Sequence, residues 1–124
     1  MKLAEADVVA MVAVKDIAKG KEFYGTTLGL KQDMENQGGL AYKCGSGTLF
    51  VYPSETAGSG KATAANWNVA DIAAVVEELK GKGVSFEHYE IPGATYEGDV
   101  AVMGPMKAAW FKDPDGNILG LTQM

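Results

Sequence analysis

The sequence repeats itself. VKDIA at residues 14–18 returns as VADIA at 69–73, and GTLFV from Gly47 returns as GNILG from Gly116. Both echoes keep the same order and the same setting: a strand end, a cap and first helical turn, then a later strand. Two copies of one structural unit in one chain are the simplest account of this order. Within the first copy, Val8 to Val14 is an apolar, β-rich run. Asp16 is placed to cap a helix carrying Ile17, Tyr24 and Leu28 on one face, and Gly29 to stop it. Three strand candidates follow at 30–35, 40–44 and 48–52, punctuated by Gly38-Gly39 and Gly45-Ser46-Gly47.

The second copy restarts with a strand ending at Asn66–Val69. Asp71 is its cap, and Ile72, Val75, Val76 and Leu79 form its helical stripe. Further strands are expected at 84–89, 108–112 and 118–122. The pattern predicts an α+β fold of two βαβββ modules in a single domain over 1–124. Module one covers about 5–54 and module two about 62–124, joined by the Gly-rich linker SETAGSGK at 54–61. The segment 94–106, ATYEGDVAVMGPM, reads as a flap, a surface loop or part of a dimer contact.

Composition removes several classes of function. A net charge of -5 with 11 scattered lysines and no arginine argues against nucleic acid, and against a guanidinium clamp for a dianionic phosphate. The longest apolar run is too short for a membrane span, and Glu5 and Asp7 interrupt any leader-like start, so a cytoplasmic protein is expected. One cysteine, Cys44, allows no internal disulfide and reads as a small hydrophobe.

With VAMVAVKDIAKGKEFYGTTLGLK, VADIAAVVEELKGKGVSF and WFKDPDGNILGL in place, the chain resembles the vicinal oxygen chelate superfamily. That group includes glyoxalase I, extradiol dioxygenases, and fosfomycin- and bleomycin-resistance proteins. The resemblance covers nearly the whole chain and implies paired modules forming a half-open, curved-sheet cup. In the metalloenzymes, four positions in the cup supply His, Gln or Glu ligands. Carried over, those positions fall on Val9, Val51, Ala64 and Gly120. None offers a donor atom to a metal ion. No metal and no other cofactor is therefore expected.

Strand alternation then puts Met11, Ala13, Leu49, Pro53, Asn66, Asn68 and Ile118 in the cup with those four. Val12, Val14, Phe50, Tyr52, Trp67, Val69 and Leu119 are expected to face the helices. Parity beyond the DPDGN turn leaves either Trp110 or Phe111 inward. The expected ligand-binding set is Val9, Met11, Leu49, Val51, Ala64, Asn66, Asn68, Trp110 and Gly120. Such a lining suits an apolar or aromatic small molecule held by sequestration or delivery, as in bleomycin-resistance proteins. The rival is a glyoxalase-like lyase or isomerase, or a dioxygenase-related enzyme. For it His88, with Glu87 or Glu90, is the one imidazole candidate for proton transfer. The resemblance also implies a homodimer.

Overall fold

Both caps read from the repeat form. In the computed structural model, which describes residues 2–124, Asp16 accepts from the N–H groups of Ala18 and Lys19, and Asp71 from that of Ala74. Each cap satisfies donors that a helix start leaves open. Helix α1 (Ile17–Lys21) runs on into a wider turn over Glu22–Thr27, closed by Leu28 N–H on the Phe23 carbonyl. Helix α2 (Ile72–Gly81) turns Ile72, Val76 and Leu79 into the core.

Strands β1 (Val9–Val14), β2 (Lys31–Asn36), β3 (Gly39–Cys44) and β4 (Gly47–Pro53) form one sheet in the order β1-β4-β3-β2. The second sheet begins with β5 (Thr63–Asn68) and β6 (Phe86–Glu87). It continues with β7 (Thr95–Glu97), β8 (Val100–Met103), β9 (Met106–Lys112) and β10 (Ile118–Gln123). Its order is β5-β10-β9-β8-β7, with β6 also on β9. In each module the first strand lies parallel to the last. This is an α+β architecture built from open sheets: the first module is βαβββ, and the second repeats that plan with the short β7–β8 hairpin added. Strands β1 and β5 are the outer strands of their own sheets and run beside each other. Among the described residues no helix is long and apolar enough to cross a membrane.

Two segments are more ordered than their composition suggests. The segment 94–106 is not a loose flap: β7 and β8 form a hairpin laddered onto β9, with Val100 and Ala101 buried. The linker is also fastened. Ser54 N–H donates to the Val14 carbonyl and Gly58 N–H to Asn117 Oδ1. Gly58 has φ of 75°, and a Cβ there would collide with the Asp115 carbonyl oxygen, so only glycine fits this approach.

One buried core serves both modules, from Val12, Val14 and Tyr42 through to Phe111, Leu119 and Leu121. At its centre is a polar junction. Asp113, 5% exposed, accepts the Tyr24 hydroxyl at 2.7 Å and Asn117 Nδ2 at 2.7 Å. Its other oxygen accepts the N–H groups of Asp115 and Asn117, both at 2.9 Å. Asn117 Nδ2 also donates to the Ala13 carbonyl at 2.7 Å, tying β1 to the DPDGN turn. Burial first, then the Asp113 charge, pushes the Tyr24 hydroxyl well above its ordinary pKa.

Asp113→Ala is expected to destabilise the chain by about 3 kcal/mol or more, since several buried donors lose their acceptor, and Tyr24→Phe by about 1–2 kcal/mol. Urea unfolding measures both. A raised tyrosine pKa means that its stabilisation is complete below pH ~10 and is lost as pH rises beyond it, by up to about 1.4 kcal/mol per unit. The difference in stability between wild type and Tyr24→Phe should therefore shrink steadily above that pH.

Candidate functional site

Each sheet has one face against the core and one open face. On β1, Val12 and Val14 are buried, while Val9 and Met11 on the other side are 43% and 53% exposed. On β5, Trp67 packs against the core and Asn66 and Asn68 are exposed. On β10, Leu119 and Leu121 are core, and Gly120 lies opposite Asn66 of β5 and Trp110 of β9. Register thus puts Trp110 on the open face and Phe111, 1% exposed, in the core.

Strand β4 departs from the sequence expectation. Val51 pairs with Val12 and Leu49 with Ala10, and laterally paired residues share a face. Val51 and Leu49 are therefore core residues, 0% and 2% exposed, and Phe50 and Tyr52 take the open face. The cause is an irregularity in module two that module one lacks. The β10–β5 register shifts between Ile118 and Leu119, leaving Ala64 without a partner. A one-residue shift exchanges the faces. The module-one counterpart of Gly120 is consequently Phe50, opposite Met11, and not Val51.

These residues do not fit a metal ion. Val9, Ala64 and Gly120 carry no donor, and neither Phe50 nor Val51 supplies one. Among the described residues no three His, Cys, Asp or Glu side chains gather to hold an ion. A Cβ built on Gly120 would lie 2.7 Å from Asn66 Oδ1, so the Asn66 amide lies over the glycine. Asn66 Nδ2 donates to Thr122 Oγ1 at 2.9 Å, and that hydroxyl donates to Asn68 Oδ1. Thr122 is missing from the expected set. Its signal was there: it stands two residues beyond Gly120 on the same strand.

The largest cleft described lies elsewhere. A cavity of about 750 Å³ opens where β1 and β5 adjoin, beside the β3–β4 turn. Its polar lining residues are Lys31, Lys43, Ser46, Thr48, Asn66 and Asn68. Its apolar lining residues include Val8, Ala10, Leu30, Leu49, Ala65 and Trp67. Behind Leu30 and Trp67 lies an apolar recess of about 140 Å³, bounded also by Leu28, Val75 and Phe111. Of the expected set, Leu49, Asn66 and Asn68 meet at this cavity. Val9, Met11, Ala64, Gly120, Val51 and Trp110 do not line it. Cys44 does.

His88 does not line this cavity. Its Nε2 meets Asp99 Oδ1 at 2.8 Å, and its ring stacks on Tyr96 with centroids 4.4 Å apart. Lys80 pairs with the other Asp99 oxygen at 2.8 Å. Hydrogen bonds from Lys80 and then His88 hold the Asp99 carboxyl below its ordinary pKa. Tyr96 Oη in turn bonds both the N–H and the carbonyl of Tyr89 at 2.8 Å. The partner of His88 is thus Asp99, neither Glu87 nor Glu90, and the group fastens the β7–β8 hairpin to α2 and β6.

Gly120→Ala is expected to cost about 1 kcal/mol, because Asn66 must leave its bond to Thr122. In an Asn66→Ala background the same change should be neutral or slightly stabilising, as an unstrained Gly→Ala usually is. A double-mutant cycle in urea reads the coupling.

Comparison with known proteins agrees with this geometry. TnmS3, an antibiotic binding protein from Streptomyces sp. CB03234, superposes with a TM-score of 0.72 at 24% identity, over 96% of this chain and 95% of that one. A glyoxalase/bleomycin resistance protein/dioxygenase from Alicyclobacillus acidocaldarius gives 0.71 at 16%, over 99% and 94%. A lactoylglutathione lyase from Agrobacterium tumefaciens gives 0.68 at 15%, over 96% and 93%. Among curated proteins no match was found. The family description that matches the sequence covers residues 7–121. The chain belongs to the Glyoxalase/Bleomycin resistance protein/Dioxygenase superfamily.

Proposed function

We propose that the chain is a metal-independent small-molecule binding protein that holds an apolar or aromatic ligand for sequestration or delivery. The seam cavity carries this reading. Its volume falls in the ~300–1,000 Å³ range of small-molecule sites. Its lining joins an aromatic and aliphatic wall to a few amides and hydroxyls. Among the described residues no carboxylate or imidazole lines it, so the usual pair of acid and base groups is not assembled there. A structural relative named as antibiotic binding supports the same reading.

A second copy of this chain is part of the proposal. Met11, Phe50, Ala41 and Met34 lie in one row across the open face of the first sheet. Met11 and Met34 are 53% and 51% exposed. An apolar row of this kind gains from cover.

The neutral fluorophore N-phenyl-1-naphthylamine tests the binding reading. It should bind saturably, with the same affinity in excess EDTA and in His88→Ala. Trp67→Ala should weaken it by about tenfold, as expected for lost aromatic contact. Absence of saturable binding, or turnover of a substrate that depends on added Ni, Zn or Mn, would overturn the proposal. Sedimentation should give twice the 13.1 kDa chain mass.

A further inference from the structure

The polar lining of the seam cavity has a charge that the rest of the chain does not predict. The protein holds 16 acidic residues against 11 lysines, yet no carboxylate lines this cavity and two lysines do. Lys31 and Lys43 are direct cross-strand partners on β2 and β3, so their side chains leave the sheet on the same face. Like charges directly opposite one another destabilise a strand pair. Neither lysine is within ion-pair distance of an acid among the described residues. A third ammonium is close: Lys82 Nζ lies 3.7 Å from the Cβ position of Gly29 at the cavity mouth, shared with Glu78 at 3.7 Å. A cleft lined by one sign of charge focuses its potential inward.

We infer that the seam cavity selects an amphipathic organic anion, a carboxylate or sulfonate carried on an apolar or aromatic body. This rests on the binding reading above and adds the charge of the ligand. The acid group lies between Lys31 and Lys43, within reach of the Asn66 and Asn68 amides and the Thr48 hydroxyl. The body lies against Leu30, Leu49 and Trp67 and extends toward the apolar recess behind them. Two point-charge ammoniums more than offset the single charge of a monoanion, and the chain has no guanidinium to grip a dianionic phosphate through parallel bonds. Occupation would also relieve the repulsion between the lysines. The site therefore discriminates by charge at one end and by shape at the other.

The test compares two fluorophores of similar body, 1-anilinonaphthalene-8-sulfonate and neutral N-phenyl-1-naphthylamine, on the full chain. Lys31→Met and Lys43→Met should each weaken the sulfonate about tenfold, as for one lost charge-assisted bond. They should leave the neutral probe within about twofold, the scale expected for a lysine stem replaced by another apolar stem. Added salt should weaken only the sulfonate. 1-Naphthoate should displace it and inorganic phosphate should not. Lys61→Met, outside the cavity, should change nothing, and thermal melts verify that every variant folds. Equal losses for both probes, no loss for the sulfonate, or displacement by phosphate would overturn the anion site while leaving apolar binding intact. If neither probe binds saturably, the binding reading fails and this inference fails with it.

Discussion

A buried carboxylate on a tight turn decides how the two halves of this protein meet. Asp113 has four donors converging on it, and one of them, the Tyr24 hydroxyl, comes from the other module, 89 residues away. A buried charge is tolerated when its hydrogen bonds are complete and is costly when any is missing. That asymmetry makes the junction specific. Any other docking of the modules would leave the Tyr24 hydroxyl and the Ala13 carbonyl without these partners and take one of its four donors from the carboxylate. The DPDGN sequence thus does more than reverse the chain between β9 and β10, because it fixes module one by its helix and by its first strand.

The position of that junction explains why there is a cavity. Strands β1 and β5 are both edges, and exposed strand edges normally need management. Here one end of the seam is closed by side chains: Asn117 takes the Ala13 carbonyl, and Asp115 takes the Lys15 N–H at 3.3 Å. The other end, where Val8 and Ala10 approach Ala65 to Asn68, is lined by loop and strand residues around a space of about 750 Å³. The same construction therefore supplies a rigid anchor and an opening. Rigidity matters to binding because a preformed site spends less ordering entropy on its ligand.

Much of this was legible locally. Both aspartate caps, the helical stripe of α2 and the strands of module one follow from periodicity and punctuation, and two modules are the simplest account of the repeat. What escaped was relational. The faces of Leu49 and Val51 were misassigned because the two terminal strands look alike from their turn glycines, Gly47 and Gly116. Only module two contains the register shift at Ile118 and Leu119. A period-two pattern has no means of showing an unpaired residue on the neighbouring strand, here Ala64. Contacts between distant positions were equally invisible: Tyr24 with Asp113, His88 with Asp99, and a cavity drawn from residues 8 to 68. His88 was singled out for its chemistry, and its neighbours make it a fastener.

Gly120 connects the local and the relational readings. As a sequence feature it is a weak residue in a terminal strand, at a position where the family resemblance implies a glutamate. The structure adds that the space is in use, because the Asn66 amide lies where a side chain on residue 120 would begin. Placing a carboxylate there would displace Asn66 and break its link through Thr122 to Asn68. It would still face Met11 and Phe50 as the corresponding pair on the other module, where no donor exists. A metal site needs three or more donors converging at once, and single substitutions cannot rebuild one across two sheets. The polar groups of this face form an amide–hydroxyl chain instead, whose two asparagines reach the seam cavity.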